Sequence, residues 1–315
     1  MIGIFSYLVF FLCMVLILGI VTMGLNLQWG FTGLFNAGVV GFYAIGGYAH
    51  AIVTAAPQSG FIGNFGMPWL AGIAAALVVS ALAAILIGSI TISLRGDYLA
   101  IASFGIAVTI QLIALNWEAL TGGPNGMTRI ARPMAGVFDT PLAYNVAWLG
   151  MLALITLLVY GGLERILRSP WGRVLRAIRE DEMAAESLGK PAWRFRLEAF
   201  VLGSTLMGLA GALYVSFIGF ISPGDFLPIF TFQIWAMLLV GGSGNNRGAL
   251  LGALVIWTVW AGSGVAVTKI VPPSYAAQGA AIQVILIGLV LVIALLFRPR
   301  GLIGEEVTIS PQPNH

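Results

Sequence analysis

Residues 1–25 read MIGIFSYLVFFLCMVLILGIVTMGL, an apolar run without a single charged residue. A helix needs roughly 20 such residues to cross the ~30 Å hydrocarbon core of a bilayer. The run has no basic flank before it and no small-residue cleavage site after it, and it exceeds the about 7–15 residues of a secretory signal core. It is therefore expected to remain as a first membrane helix. Working outward, no Asp, Glu, Lys or Arg occurs before Arg95, and the whole 315-residue chain is 59% hydrophobic and 9% charged. Soluble domains carry about 45–50% apolar and about 25% charged residues, so a water-soluble fold is excluded. A transmembrane barrel is excluded too, because its strands alternate in polarity over ~10 residues, whereas this chain stays apolar for twenty or more.

At roughly 20 apolar residues per crossing the composition supplies about nine helices. The expected architecture is an all-α polytopic membrane protein with about nine transmembrane helices, in the range eight to ten. The apolar runs place them at 4–25, 36–56, 70–93, 98–117, 145–163, 197–220, 229–240, 249–263 and 282–297. The runs at 229–240 and 249–263 are short and flanked by glycine, which permits broken or re-entrant helices. Residues 1–305 read as one transmembrane domain and 306–315 as a polar tail.

Charge orders these helices. Residues 164–198 hold eight of the 15 basic and six of the 12 acidic residues and form the one substantial hydrophilic loop. With that loop in the cytoplasm, alternation puts Arg95, Arg247, Arg298 and Arg300 inside as well, and leaves only Arg129, Arg132 and Lys269 outside. This satisfies the positive-inside rule and predicts an outer N-terminus and an inner C-terminus. Arg298 and Arg300 then read most simply as an anchor at the inner surface. The basic residues make no uncompensated stripe, so nucleic acid is not an expected partner.

Several chemistries are missing. No G-x-x-x-x-G-K-[ST] loop is present, so ATP must be hydrolysed by another chain. The apolar runs carry no Asp or Glu of the kind that ion-coupled carriers place at mid-membrane, and Glu118 reads as an interfacial charge. The single Cys13 allows neither a disulfide nor a cysteine metal site. Of the two histidines, His315 ends the tail and His50 sits in an apolar run. His50 is expected to be a neutral, hydrogen-bonded helix residue, with a serine–histidine hydrolase as the minor alternative.

The segment 169–200, SPWGRVLRAIREDEMAAESLGKPAWRFRLEAF, reads as helix, stop, helix. Ser169-Pro170 is a start signal, and Gly189-Lys190-Pro191 a stop after Leu188. Val174, Ala177, Ile178, Ala184, Ala185 and Leu188 recur at helical spacing and are interrupted at Asp181, so one narrow, alanine-rich face can pack. The charges of such a helix oppose its dipole: Arg173, Arg176 and Arg179 come early and Glu180, Asp181, Glu182 and Glu186 late. Two readings follow, an amphipathic loop lying on lipid headgroups and a short helix inserted into a partner's groove.

The AAESLG stretch at 184–189 resembles the loop through which ABC-importer permeases contact their ATPases. More widely, LRGDYLAI (94–101), TGGPNGM (121–127), WGRVLRAIREDEMAAESLG (171–189), VGGSGNNRGALLGA (240–253) and FRPRGLIG (297–304) resemble, in order and spacing, the M-type permease subunit of high-affinity branched-chain amino acid importers. The resemblance covers nearly the whole chain. It departs at SFGIAVTIQ (103–111), where Val108 stands in a position that is acidic in many members. Related urea importers differ more around 95–97 and 121–127.

The resemblance implies a subunit that is not itself an enzyme. It implies a heterodimer with an H-type permease, two cytoplasmic ATPases that hold the ATP and Mg, and a soluble substrate-binding protein outside, in a bacterial plasma membrane. This chain would bind no cofactor and no metal. Coupling to the ATPases would run through 164–198, with Arg179, Glu182, Ala184, Ala185, Glu186, Ser187, Leu188 and Gly189 as candidate contacts. Gly122, Gly123, Pro124 and Asn125 lie in an outward loop and are candidates for contact with the binding protein, or form a structural turn. Asn26, Gln28, Asn36, Gln111, Asn116 and Gln233 are uncharged polar residues in or near apolar runs. They are candidates for a weakly polar substrate path, or for hydrogen bonds between helices. Lacking fixed charge, such a path suits a neutral zwitterion. A urea or amide permease and an ion-coupled carrier remain the alternatives.

Overall fold

The computed structural model describes residues 2–305 except 95, 135, 139, 271 and 273–275. Arg95 of the 94–101 motif, Asp139 and the 306–315 tail therefore lie outside the described residues. Among the described residues the chain is helical: α1 (Ile2–Thr32), α2 (Val39–Thr54), α3 (Trp69–Thr91), α4 (Asp97–Asn116), α5 (Glu118–Thr121), α6 (Pro141–Arg168), α7 (Pro170–Glu180), α8 (Glu182–Ser187), α9 (Ala192–Ile218), α10 (Pro228–Gly241), α11 (Asn246–Ile270) and α12 (Ala276–Phe297). Six are long and apolar enough to cross a membrane, and the stretches Val39–Thr54, Pro228–Gly241 and Ala281–Phe297 are shorter apolar helices. The expected nine are thus present at the expected places. The run at 249–263 is part of an unbroken 25-residue helix. The run at 229–240 is short as expected, forming the 14-residue α10, and α2 is short as well, with 16 residues.

Helix ends follow local chemistry. Thr140 Oγ1 accepts the Ala143 N–H at 3.2 Å ahead of Pro141, and Arg165 and Arg168 close α6 at its negative end. The bundle centre is α1, α2 and α9, with α3, α10 and α11 around them. Helices in lipid gain nothing from hydrophobic association with each other and rely on close packing through small residues. Gly46 of α2 lies on the backbone of Gly208 of α9, where a Cβ would meet the Gly208 carbonyl, and Gly252 of α11 lies likewise on the Met237 carbonyl of α10.

Contacts between connections sort them onto two faces. On one, Asn246 Nδ2 donates to Glu164 Oε1 at 3.1 Å, and the N–H groups of Leu302 and Ile303 donate to the carbonyls of Val240 and Gly241, both at 2.9 Å. This face carries α7 and α8 and is called the loop face below. On the other, Met127 and Ile221 exchange two backbone hydrogen bonds, Ala56 N–H donates to the Arg129 carbonyl, and Arg132 Nη2 donates to the Ile218 carbonyl at 2.6 Å. The alternation read from charge is reproduced wherever these ties occur.

Candidate coupling and transport sites

The polar loop is not the single helix expected up to Leu188. Asp181, at φ −152° and ψ 105°, breaks it, and its carboxylate accepts the Ala184 N–H at 3.0 Å to cap α8. The break removes most of the dipole conflict, because Arg179 now lies in the last turn of α7 while Asp181 and Glu182 begin α8. Ser169 does not cap α7; its hydroxyl donates to the Ile166 carbonyl at 2.6 Å. Gly189 adopts φ +75°, the left-handed turn expected of it.

The candidate contacts divide by orientation. Ala185 is buried against Ile178 and Ala192, with Val174 and Phe195 beside them, so the narrow alanine face packs inside the protein. Arg179 also points inward. Its guanidinium donates to the Gly30 carbonyl at the end of α1, and pairs with Glu180 and Glu305, both at 2.8 Å. Burial weakens the charge on Arg179, but the two carboxylates more than offset this and hold its pKa above the ordinary arginine value. Glu182 is held by Arg196 at 2.9 Å. Ala184, Glu186, Ser187, Leu188 and Gly189 face outward. Met183 and Leu188 are the large apolar side chains that α8 and its end leave uncovered, 77% and 81% exposed.

Four of the five motif stretches meet on this face. The glycine turn at 241–246 uses positive φ at Gly242 and Gly244, and Asn26 of α1 clamps it by accepting the Gly244 N–H at 2.8 Å and donating to Asn246 Oδ1 at 2.9 Å. The segment 300–305 lies on the same turn through Leu302 and Ile303, and ends in the Glu305 that pairs with Arg179. A cleft of about 440 Å³ opens beside α8 and is lined in part by Trp29, Phe35, Asp97, Glu186 and Arg196. The ring of Phe35, in that lining, stacks on Trp235 with centroids 4.3 Å apart.

The expected path residues do not line one channel. Asn26 is committed to the glycine turn. Gln28 Nε2 donates to the Phe200 carbonyl at 2.9 Å and to Ser204 Oγ at 3.0 Å, while its Oε1 accepts Asn36 Nδ2 at 2.8 Å. Asn36 Oδ1 in turn accepts the Gly38 N–H at 2.7 Å, so this network holds the non-helical stretch 33–38 between α1 and α2. Asn116 is exposed and bonds within its own helix, Gln111 Nε2 reaches the Pro223 carbonyl at 3.4 Å, and Gln233 is buried with its Nε2 unpartnered. The loop at 121–127 is a built turn: Thr121 Oγ1 accepts the Gly123 N–H and donates toward the Ala114 and Trp117 carbonyls, Gly122 and Gly123 are buried at positive φ, and Pro124 and Asn125 are its exposed tips.

His50 is the hydrogen-bonded helix residue expected. Its Nε2 lies 2.8 Å from Ser216 Oγ, which also bonds the Ala212 carbonyl and accepts from Trp69 Nε1. These contacts hold Ser216 and His50 between α2, α3 and α9 as a link between helices. No motif or charge pattern in the sequence singles out the connection 219–227. Its clue was the shortness of the run at 229–240.

Apolar helices packed through glycine, with one polar two-helix loop on a single face, mark an integral membrane protein. The chain belongs to the family described as branched-chain amino acid transport system, permease component, whose model matches residues 7–295. It is 30% identical over 311 residues to the high-affinity branched-chain amino acid transport system permease protein LivM of Salmonella typhimurium, covering 92% of this chain and 68% of the relative. It is 30% identical to the Escherichia coli protein of that name, over 90% and 67%. It is 29% identical to the probable branched-chain amino acid transport permease protein LivM of Methanocaldococcus jannaschii, over 93% and 92%. No solved structure matches. These relatives and the six long apolar helices mark a multi-pass protein of the bacterial inner membrane.

Proposed function

We propose that this chain is a transmembrane permease subunit of an ATP-driven importer for neutral amino acids, branched-chain or otherwise apolar, with ATP and Mg held by two partner ATPases. The observation that carries this reading is the construction of the polar loop. Its inner side is locked to α1 and the C-terminal segment through Arg179, and its outer side presents Met183 and Leu188 uncovered. Uncovered apolar side chains on a short helix suit insertion into a partner's groove. The named relatives supply the substrate class. In this reading the loop face is cytoplasmic, the N-terminus is outside and the C-terminus inside. A homologous permease completes the pathway, and a binding protein delivers substrate at the face bearing Pro124 and Asn125. Closure of the ATPase dimer pushes α7 and α8, and rigid-body rocking of the helices exposes the path alternately to each side.

Co-expression with the companion subunits tests the assembly. Both ATPases should co-purify with this chain, and leucine or valine should compete for uptake at far lower concentration than lysine, glutamate or urea. Preference for urea would point to an amide importer, and uptake driven by an ion gradient without ATPases would point to a secondary carrier.

A further inference from the structure

The connection between α9 and α10 lies deeper than a surface loop. α10 has 14 residues, so at 1.5 Å per residue it reaches about 21 Å from the loop face, short of a ~30 Å hydrocarbon core. α9, with 27 residues, reaches about 40 Å from the same face, so residues 219–227 run from the far face back to the start of α10 within the membrane thickness, with Asp225 near that end. They are fixed there by the Ile221–Met127 bridge, by Gln111 on the Pro223 carbonyl, and by a capping box in which Asp225 Oδ2 accepts the Ser222 N–H at 2.9 Å and its hydroxyl at 3.0 Å. A carboxylate at that depth is costly and calls for a partner. Among the described residues no lysine or arginine forms an ion pair with Asp225. Its two hydrogen bonds fall on Oδ2, which leaves Oδ1 for another donor.

Next to this carboxylate stands a group of aromatic rings. Phe226 packs on Tyr43 at 5.6 Å and on Tyr48 at 5.7 Å, and Tyr43 also meets Phe230 at 5.3 Å and Tyr214 at 5.7 Å. All three tyrosines lie within electrostatic reach of Asp225. Tyr43 and Tyr48 are 1% and 6% exposed, yet neither hydroxyl has a hydrogen-bond partner. Phenylalanine would fill the same space without the cost of a buried, unpaired hydroxyl. Two such hydroxyls beside an unpaired intramembrane carboxylate are thus costly for packing alone and useful for a ligand that brings both an acceptor and a donor.

We propose that Asp225 and the hydroxyls of Tyr43 and Tyr48 form a transit site for the α-ammonium and α-carboxylate of an amino acid, with Phe226, Phe230 and Tyr214 offering ring surface to its side chain. Each group finds its complement. The ammonium has three donors and no acceptor, and meets Oδ1 of Asp225 and the negative faces of the rings. The carboxylate only accepts, and takes the two phenolic O–H groups. The apolar ring surface favours an apolar side chain. The inference deepens the importer reading above and rests on it.

The test uses the complete importer in proteoliposomes with leucine delivered by its binding protein. Tyr43→Phe and Tyr48→Phe should each lower uptake at saturating loaded binding protein about tenfold, the worth of a hydrogen bond to a charged group. Asp225→Asn should lower it by at least as much, while keeping an oxygen to accept the Ser222 N–H. Complex yield and melting temperature should equal or exceed wild-type values in the Tyr→Phe variants, because neither hydroxyl has a bond to lose and each is costly to bury. Tyr144→Phe, at another hydroxyl without a partner but on α6, should leave uptake unchanged. Wild-type uptake in the Tyr43→Phe/Tyr48→Phe double variant would overturn the proposal, and so would a loss of yield or melting temperature that accounts for the defect. A wild-type complex that moves no amino acid would instead refute the importer reading, and the transit site with it.

Discussion

Arg179 is where the orientation of the polar loop can be tested with most force. As an ATPase contact it would contribute to assembly; as the structure places it, it ties α7 to two parts of this same chain. Three interactions are lost in Arg179→Ala. The Glu180 pair, whose carboxylate is 72% exposed, is worth a few tenths of a kcal/mol at most, in line with exposed pairs generally. The Glu305 pair, with side chains 22% and 33% exposed, is sheltered enough to contribute about 1–1.5 kcal/mol. The bond to the Gly30 carbonyl adds about 1 kcal/mol, since water reaches that oxygen only in part once the guanidinium is gone. Together these amount to about 2–3 kcal/mol, or roughly 30- to 150-fold in the fraction of molecules with loop, α1 and C-terminal segment joined. Arg179→Lys should recover little, because one ammonium cannot span three acceptors that a planar guanidinium reaches at once. In the purified complex both variants should keep their ATPases bound, hydrolyse ATP without stimulation by loaded binding protein, and move less substrate per ATP. Glu305→Gln should show the same defect in milder form. If Arg179→Ala instead released the ATPases while leaving the 300–305 segment as protected from proteolysis as in the wild type, the internal tie would be wrong.

Further outcomes follow from packing and sidedness. Gly46→Ala would press a methyl onto the Gly208 backbone, which has no rotamer to yield, and should destabilise the permease by about 1–3 kcal/mol or more, seen as a lower melting temperature in detergent; an unchanged value would contradict the close approach of α2 and α9. Ala185→Arg should lower the stability of the isolated permease, whereas Leu188→Glu should leave it intact and abolish ATPase co-purification; equal effects on stability would mean that the inward and outward sides of α8 are misassigned. In a Cys13→Ser background, a cysteine at position 125 should react with an impermeant thiol reagent in intact cells and one at position 187 should not; the reverse pattern would invert the topology.

What was legible in the sequence was whatever depends on composition along the chain. A helix must satisfy its own backbone in lipid, so continuous apolar length reports membrane helices directly, and nine apolar helices, six of them long enough to cross, lie where the runs placed them. Gly189 announced its turn for an equally local reason, since a left-handed residue after a helix favours glycine. The asymmetry of charge likewise predicted which connections share a face, and the ties between Asn246 and Glu164 and between Met127 and Ile221 agree. The tertiary structure alone decided which side of an element looks outward and which polar groups already have partners. Ala184 and Ala185 are neighbours of one residue type, yet one is exposed and the other buried, because Ala185 packs against Ile178 and against Ala192 of α9, which folds back beyond the Gly189 turn. Asn26, Gln28 and Asn36 look like path residues by type but spend their hydrogen bonds on joining helices. Asp225 carries no signal in the sequence, but a 14-residue α10 places it near Tyr43 and Tyr48. Side-chain periodicity is a property of one helix, whereas depth, partnership and facing are properties of how helices of unequal length pack, and that depends on contacts between residues far apart in the chain.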